Sequence, residues 1–325
     1  MNNPPSTEER VWAALSHLSV LGFGVGLLLP VIGWSQQRDK SKYAAFQCLQ
    51  ALGYQSLGYT VWFLGYAVLM IILFLVVLVI LSLVTARTGE LEPVAMAGFN
   101  ILLFLFVFLG IGLYFLLPVI AAISCALGRD FRYPVMGSRL ARYLGYDLTA
   151  TSNEPLQLNE EHEDRWVTAM GHFAVIIPLW GILAPVMAWA TQGRRSPLVK
   201  LQSAQTVIYQ TFVALLSFLP GMIYLLGFVA FLLSMGLSSV AGNNSPVVGG
   251  GVILLLVFGF LAVLTALLLP LLHILGQWAG YRVLKGDDYR YPLVGRAAEG
   301  WFMKKTVGET EAPPVVNNGA ERGET

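Results

Sequence analysis

Charge is what this chain lacks first. Only 12% of its 325 residues are Asp, Glu, Lys or Arg, against about a quarter in soluble globular proteins. Strand-type alternation of apolar and polar residues is missing as well. Lipid admits only helices or closed barrels, because every backbone polar group there must be paired within the protein. With 56% hydrophobic residues and several apolar runs beyond the ~20 residues a helix needs to cross a bilayer, the expected class is all-α. The chain reads as a polytopic integral membrane protein embedded in a lipid bilayer.

Other absences narrow the functions. There are two cysteines, Cys48 and Cys125; they read as small buried hydrophobes rather than a disulfide framework. A net charge of +1 points to no nucleic-acid partner. The amino terminus M-N-N-P-P-S-T-E-E-R is acidic and no A-x-A site follows, so no removable signal peptide is expected. No Asp, Glu, Lys or Arg falls in the interiors of the apolar segments, where ion-coupled pumps and proton relays place them. There is no H-E-x-x-H, G-x-S-x-G or Walker loop, and His162-Glu163 lacks a zincin's second histidine. The expectation is no catalytic residue, no metal, no cofactor and no enzyme.

What the chain has is a repeat. A shift of 155 positions carries Arg10, His17, Gly26, Pro30, Trp34, Gln37, Ser41, Gln47, Gln50, Tyr54 and Gln55 onto Arg165, His172, Gly181, Pro185, Trp189, Gln192, Ser196, Gln202, Gln205, Tyr209 and Gln210. The exit motif G-R-D-F-R-Y-P-V-M-G recurs as G-D-D-Y-R-Y-P-L-V-G at a shift of 158. The organisation is a polar tail (1–8), a first membrane module (9–143), an acidic linker (144–163), a second module (164–302) and a disordered tail (303–325). The two modules are homologous helical units related by pseudo-two-fold symmetry.

Each module opens with an apolar run, 12–34 or 166–190, followed by a basic loop, an interfacial stretch (43–55 or 197–210) and two long helices. The long helices are expected near 57–84 and 97–126, then near 207–236 and 251–282. If the opening runs crossed the membrane, six spans with inverted repeats would result, and the basic loops would face opposite sides. If each run returns as a re-entrant hairpin, turning at Gly22, Gly24 and Gly26 or at Pro178 and Gly181, four long spans remain. Every Lys and Arg except Arg87 then shares one face, the arrangement favoured by the positive-inside rule. The hairpin topology is preferred, with both termini cytoplasmic in a bacterial inner (plasma) membrane.

Three duplicated features are candidates for chemistry. His17 and His172 lie inside apolar runs, where an ionisable group is by default functional; the simpler reading is a neutral imidazole bonded to a carbonyl freed near the Gly or Pro break. Gln47, Gln50 and Tyr54, and their copies Gln202, Gln205 and Tyr209, share one helix face by their i, i+3, i+7 spacing. They read as polar helix-to-helix glue lining the contact between modules. Trp34, Trp189 and the R-Y-P exits (Arg132, Tyr133, Arg290, Tyr291) read as anchors at the membrane interface.

The order H-L-S, P-x-x-x-W, a basic loop, Q-x-x-Q-A-x-x-Y-Q and R-Y-P resembles the bacterial domain of unknown function 4870. That family is similar to the twenty-kilodalton subunit of the chloroplast inner-envelope translocon. The resemblance implies a non-enzymatic, translocon-like or membrane-assembly component, with other membrane proteins or a polypeptide as partners. Two further readings stay open: an uncoupled channel for a small solute with His17 and His172 at a constriction, and a lipid-acting enzyme built on the loops at 129–133 and 287–291.

Overall fold

The computed structural model describes residues 4–88, 93–146, 158–177, 179–241, 246–292 and 294–302. In chain order the helices are α1 (Thr7–Leu18), α2 (Leu28–Gln37), α3 (Lys42–Thr88), α4 (Pro93–Ala126), α5 (Met136–Leu144), α6 (Glu160–Phe173), α7 (Leu183–Gln192), α8 (Pro197–Ala241), α9 (Pro246–Ala266), α10 (Leu268–Leu284) and α11 (Val294–Phe302). Short 3-10 stretches occupy Ser19–Leu27 and Ala174–Ile176. No strand occurs among the described residues. Residues 147–157 of the linker, the tail 303–325, the loop at 89–92 and Pro178 lie outside the described set.

Helix α1 begins earlier than the polar-tail reading expects. Ser6 caps it, and Ser6 and Glu9 bond reciprocally to each other's backbone N–H groups, which satisfies two of the free donors at a helix start. Thr7 and Glu8 therefore belong to the first module's helix.

The run Thr7–Gln37 is long and apolar enough to cross a membrane by composition, yet it doubles back. The backbone turns at Phe23, with φ 51 and ψ −135. The Gln37 amide then donates to the Glu8 carboxylate at 2.9 Å. In one straight helix those ends would stand roughly 45 Å apart at 1.5 Å per residue. Between them Gly33 faces α1 so closely that a Cβ would lie 3.1 Å from the Trp12 ring. The second module repeats the device: Arg195, just beyond α7, pairs with Glu160 at the start of α6. Both opening runs are hairpins.

The turn depends on one duplicated glycine. A Cβ at Gly26 would overlap the carbonyl oxygen of Ser19, and one at Gly181 that of Ala174. Backbone cannot swing aside as a side-chain tip can. Gly26→Ala is therefore expected to destabilise the protein by about 1–3 kcal/mol, read as a lower midpoint in detergent unfolding. Gly22→Ala, with nothing within 4 Å of its Cβ, should leave the midpoint unchanged.

The hairpins also settle how the modules lie. The first basic loop touches the second: Gln192 donates to Ser35 at 2.6 Å, and Arg195 pairs with Asp39. Inverted copies would hold these loops on opposite faces, so the repeats are parallel.

Four long helical arms rise from this paired base. Helix α3 is one unbroken helix of 47 residues rather than an interfacial piece feeding a span. The last arm departs from the single helix expected at 251–282. It is divided between α9 and α10, because Pro270 lacks an N–H and its ring crowds the carbonyl four residues back. Pro118 and Pro220 stay inside α4 and α8. Along the arms Val68, Leu75, Leu105, Leu225 and Leu256 are exposed, a surface that only lipid tails would cover without penalty. The buried core lies at the opposite, basic end. Its main cluster packs Leu27, Trp34, Phe46 and Leu49 with Trp166, Met170 and Ala184 of the second module, and a smaller one lies within each module.

Candidate functional site

Each module contains the same buried polar ring. Its fixed point is a backbone carbonyl in the exit turn, Phe131 O. The amides of Gln47 and Gln50 donate to that oxygen at 3.0 and 2.9 Å, and Gln47 also donates to Asp130 at 2.8 Å. With both amide nitrogens committed, the amide oxygens must face the other way. Gln50 Oε1 accepts the Tyr133 backbone N–H at 2.9 Å. Gln47 Oε1 faces His17 Nε2 at 3.0 Å, and that nitrogen must then carry a proton. His17 Nδ1 is left as an acceptor for the Tyr133 hydroxyl at 3.0 Å. One carbonyl thus fixes a neutral imidazole, its tautomer and the polarity of every bond around it.

The second ring follows the same wiring. Gln202 and Gln205 donate to Tyr289 O at 3.0 and 2.8 Å, and Gln202 to Asp288 at 2.8 Å. His172 lies 3.1 Å from Gln202 Oε1 and 2.9 Å from the Tyr291 hydroxyl. Thr206 adds a contact to this imidazole that Ala51 cannot supply in the first ring.

Tyrosines complete each ring from the membrane side. Tyr54 stacks on Tyr133 with centroids 4.3 Å apart and donates to Tyr114 O at 2.7 Å. That carbonyl would otherwise be orphaned, since Pro118 has no N–H to give it. Tyr209 stacks on Tyr291 at 3.9 Å and donates to Leu272 O at 2.6 Å.

The structure therefore gathers the histidines and the glutamine–tyrosine faces, but inside each module rather than between modules. His17 and His172 are 1% and 0% exposed, with both ring nitrogens bonded; neither is open to a passage. Tyr133 and Tyr291 are buried ring members, 3% and 2% exposed, and not interfacial anchors. Trp34 is fully buried. Arg132 and Arg290 reach solvent and pair with Asp130 and Asp288, while Trp189 packs edge-on against Phe302. Cys48 and Cys125 are free thiols, both fully buried. Among the described residues no three His, Cys, Asp or Glu side chains converge as metal ligands would.

The inter-module contact joins repeated residues, Trp34 and Gln192, to residues that the repeat pattern passes over. Arg38, 2% exposed, lies 3.4 Å from Glu163 and 3.0 Å from Asp164. It donates to Gln192 at 3.0 Å, and its guanidinium stacks over Trp34 at 4.7 Å. Trp34 donates to Glu163 at 3.2 Å, and Trp166 to Leu49 O at 2.9 Å. The contact is one-sided. Arg38 corresponds to Gly193 in the other copy and Trp166 to Val11, so neither of these contacts has a symmetric counterpart.

Burial drives the Glu163 carboxyl up to about 7, with Arg38 and the Trp34 N–H pulling the other way. Since the folded value exceeds the unfolded one of about 4.5, this group's contribution is fully present below pH 4.5. It is lost as pH rises through 7, a change of about 3 kcal/mol at most. Unfolding midpoints should therefore fall between pH 5 and pH 8, and Glu163→Gln should flatten that slope.

Parallel hairpin modules, lipid-facing arms and internally wired polar rings define a multi-pass α-helical membrane protein built by duplication. The chain belongs to the magnetosome magnetite crystal formation protein family, whose model matches residues 8–140 and 163–298, one match for each repeat. The comparison gives no support to the domain of unknown function 4870 or to a translocon subunit. Comparison with curated proteins and with solved structures finds no match.

Proposed function

We propose that this chain is a non-enzymatic membrane-assembly component that acts where its family is named for acting, in the magnetosome membrane during magnetite crystal formation. The observation that carries the reading is the family match over both repeats. The wiring of the rings supports it: their imidazoles, amides and phenols are spent on one another, as suits groups that hold a shape rather than turn over a substrate. The fused pair would present a rigid, laterally broad unit to neighbouring membrane proteins. By the positive-inside rule, its basic face and both termini lie on the cytoplasmic side of an inner membrane or of a compartment derived from it.

The test is deletion of the gene in a magnetite-forming host, with crystals measured by electron microscopy. Altered crystal size or number, restored by the wild-type gene, is the expected result. Crystals unchanged in both would end the proposal. Thiol labelling of Lys40→Cys and Arg194→Cys with an impermeant reagent tests sidedness; both should react only from the cytoplasm.

A further inference from the structure

We propose that the groove between the two modules is a specific site for one anionic phospholipid. A cavity of about 660 Å³ opens beside the first exit turn, walled by α3, α4 and α5 of the first module and by α6 and α10 of the second. Its volume is in the usual range of ligand sites, about 300–1,000 Å³. It lies where α3 and α4 pack more loosely, touching above it through Tyr66 and Phe106, whereas α8 and α9 stay closely packed along their length.

Its lining is graded along the membrane normal. Leu57, Val61 and Trp62 follow one face of α3 away from the basic base, with Leu117 of α4 across from them. That strip runs outward at lipid depth and fits an acyl chain. At the base end stand Arg139 from the first module and Lys285 from the second. Both are exposed and neither has a carboxylate partner among the described residues. Two unneutralised cations flanking the mouth of an apolar groove match a phosphate headgroup above an acyl chain, the arrangement expected of basic pockets between membrane helices.

Divergence between the repeats separates this site from the structural rings. The rings are duplicated; the charged residues of this groove are not. At the equivalent positions Ala297 replaces Arg139, Trp301 replaces Tyr143 and Leu127 replaces Lys285. Duplication supplied two copies of the scaffold, and one groove between them acquired the charges.

The experiment uses the full-length chain, purified in mild detergent and delipidated. Phosphatidylglycerol should raise the unfolding temperature saturably at one lipid per chain, with phosphatidylcholine at least tenfold weaker by midpoint concentration. Arg139→Ala with Lys285→Ala should abolish that preference. The control pair Arg194→Ala with Lys200→Ala, which does not line the groove, should retain it. Equal response to the two lipids, loss of preference in the control pair, or an equal shift with inorganic phosphate alone would each overturn the proposal. Because Arg139 and Lys285 are exposed and have no carboxylate partner among the described residues, their replacement should leave the unliganded unfolding temperature unchanged. A fall there would mean the cations serve the fold, and would overturn it too.

Discussion

Replacing Arg38 by alanine is expected to destabilise the folded protein by about 3–5 kcal/mol, the range for removing one partner of a buried ion pair. The reason is what remains behind. Glu163, 1% exposed, would be left at pH 8 either charged with only the Trp34 N–H to answer it or forced to take up a proton, and Gln192 would lose its donor. The penalty should shrink at pH 5, where the Glu163 carboxyl, already pushed up to about 7 by burial, can take a proton. Arg38→Lys should recover little, because one ammonium cannot reach Glu163, Asp164 and Gln192 in the planar fork that a guanidinium supplies. Denaturation in mixed micelles at both pH values reads all of this. A loss no larger than that of Arg194→Ala would show that the buried pair does not hold the modules together.

How far the fold could be read from the residues depended on whether a feature was copied. The hairpins were legible because Gly26 and Gly181 recur at one offset and because only a returning run gathers the basic loops on one face. The ring members were legible too, since His17, Gln47, Gln50 and Tyr54 each have a counterpart. Their partners were not. Phe131 and Tyr133 join Gln47 and Gln50 across more than 80 positions, and periodicity along a helix says nothing about which distant turn folds over it. Asp130 and Asp288 stood inside the matched exit motif, and that shared acid was the one available signal that the turn was part of the ring.

The contact between modules was illegible for the opposite reason. A duplicated protein that pairs with itself through unlike surfaces must break its own repeat at the contact. Arg38 stands where the second copy has Gly193, and Trp166 where the first has Val11. A search for matches discards such positions as noise. Glu163 gave no signal of its burial: it closes the stretch 144–163, which carries five acidic residues and reads as a linker, yet it faces inward on the first turn of α6. The groove with Arg139 and Lys285 is another product of broken symmetry, which makes mismatched positions the place to look for what the fused chain does that a single module cannot.

The polar rings themselves yield the second large effect. Gln47→Leu is expected to destabilise by about 2–4 kcal/mol, the sum of a lost charge-assisted bond to Asp130 and a stranded buried donor on His17. Leucine fills nearly the same space, so the loss reports polarity rather than a cavity. Gln202→Leu should lose a similar amount, tempered by Thr206, which can still meet the His172 imidazole. The telling comparison is His17→Leu combined with Gln47→Leu. If the ring is structural, removing both partners leaves fewer orphaned groups than the two single losses imply, and the double variant should be more stable than additivity predicts by at least 1 kcal/mol. Strict additivity would mean that the imidazole and the amide do not act through one another. The buried ring would then be a coincidence of packing, and the duplicated histidines would need another reason to be there.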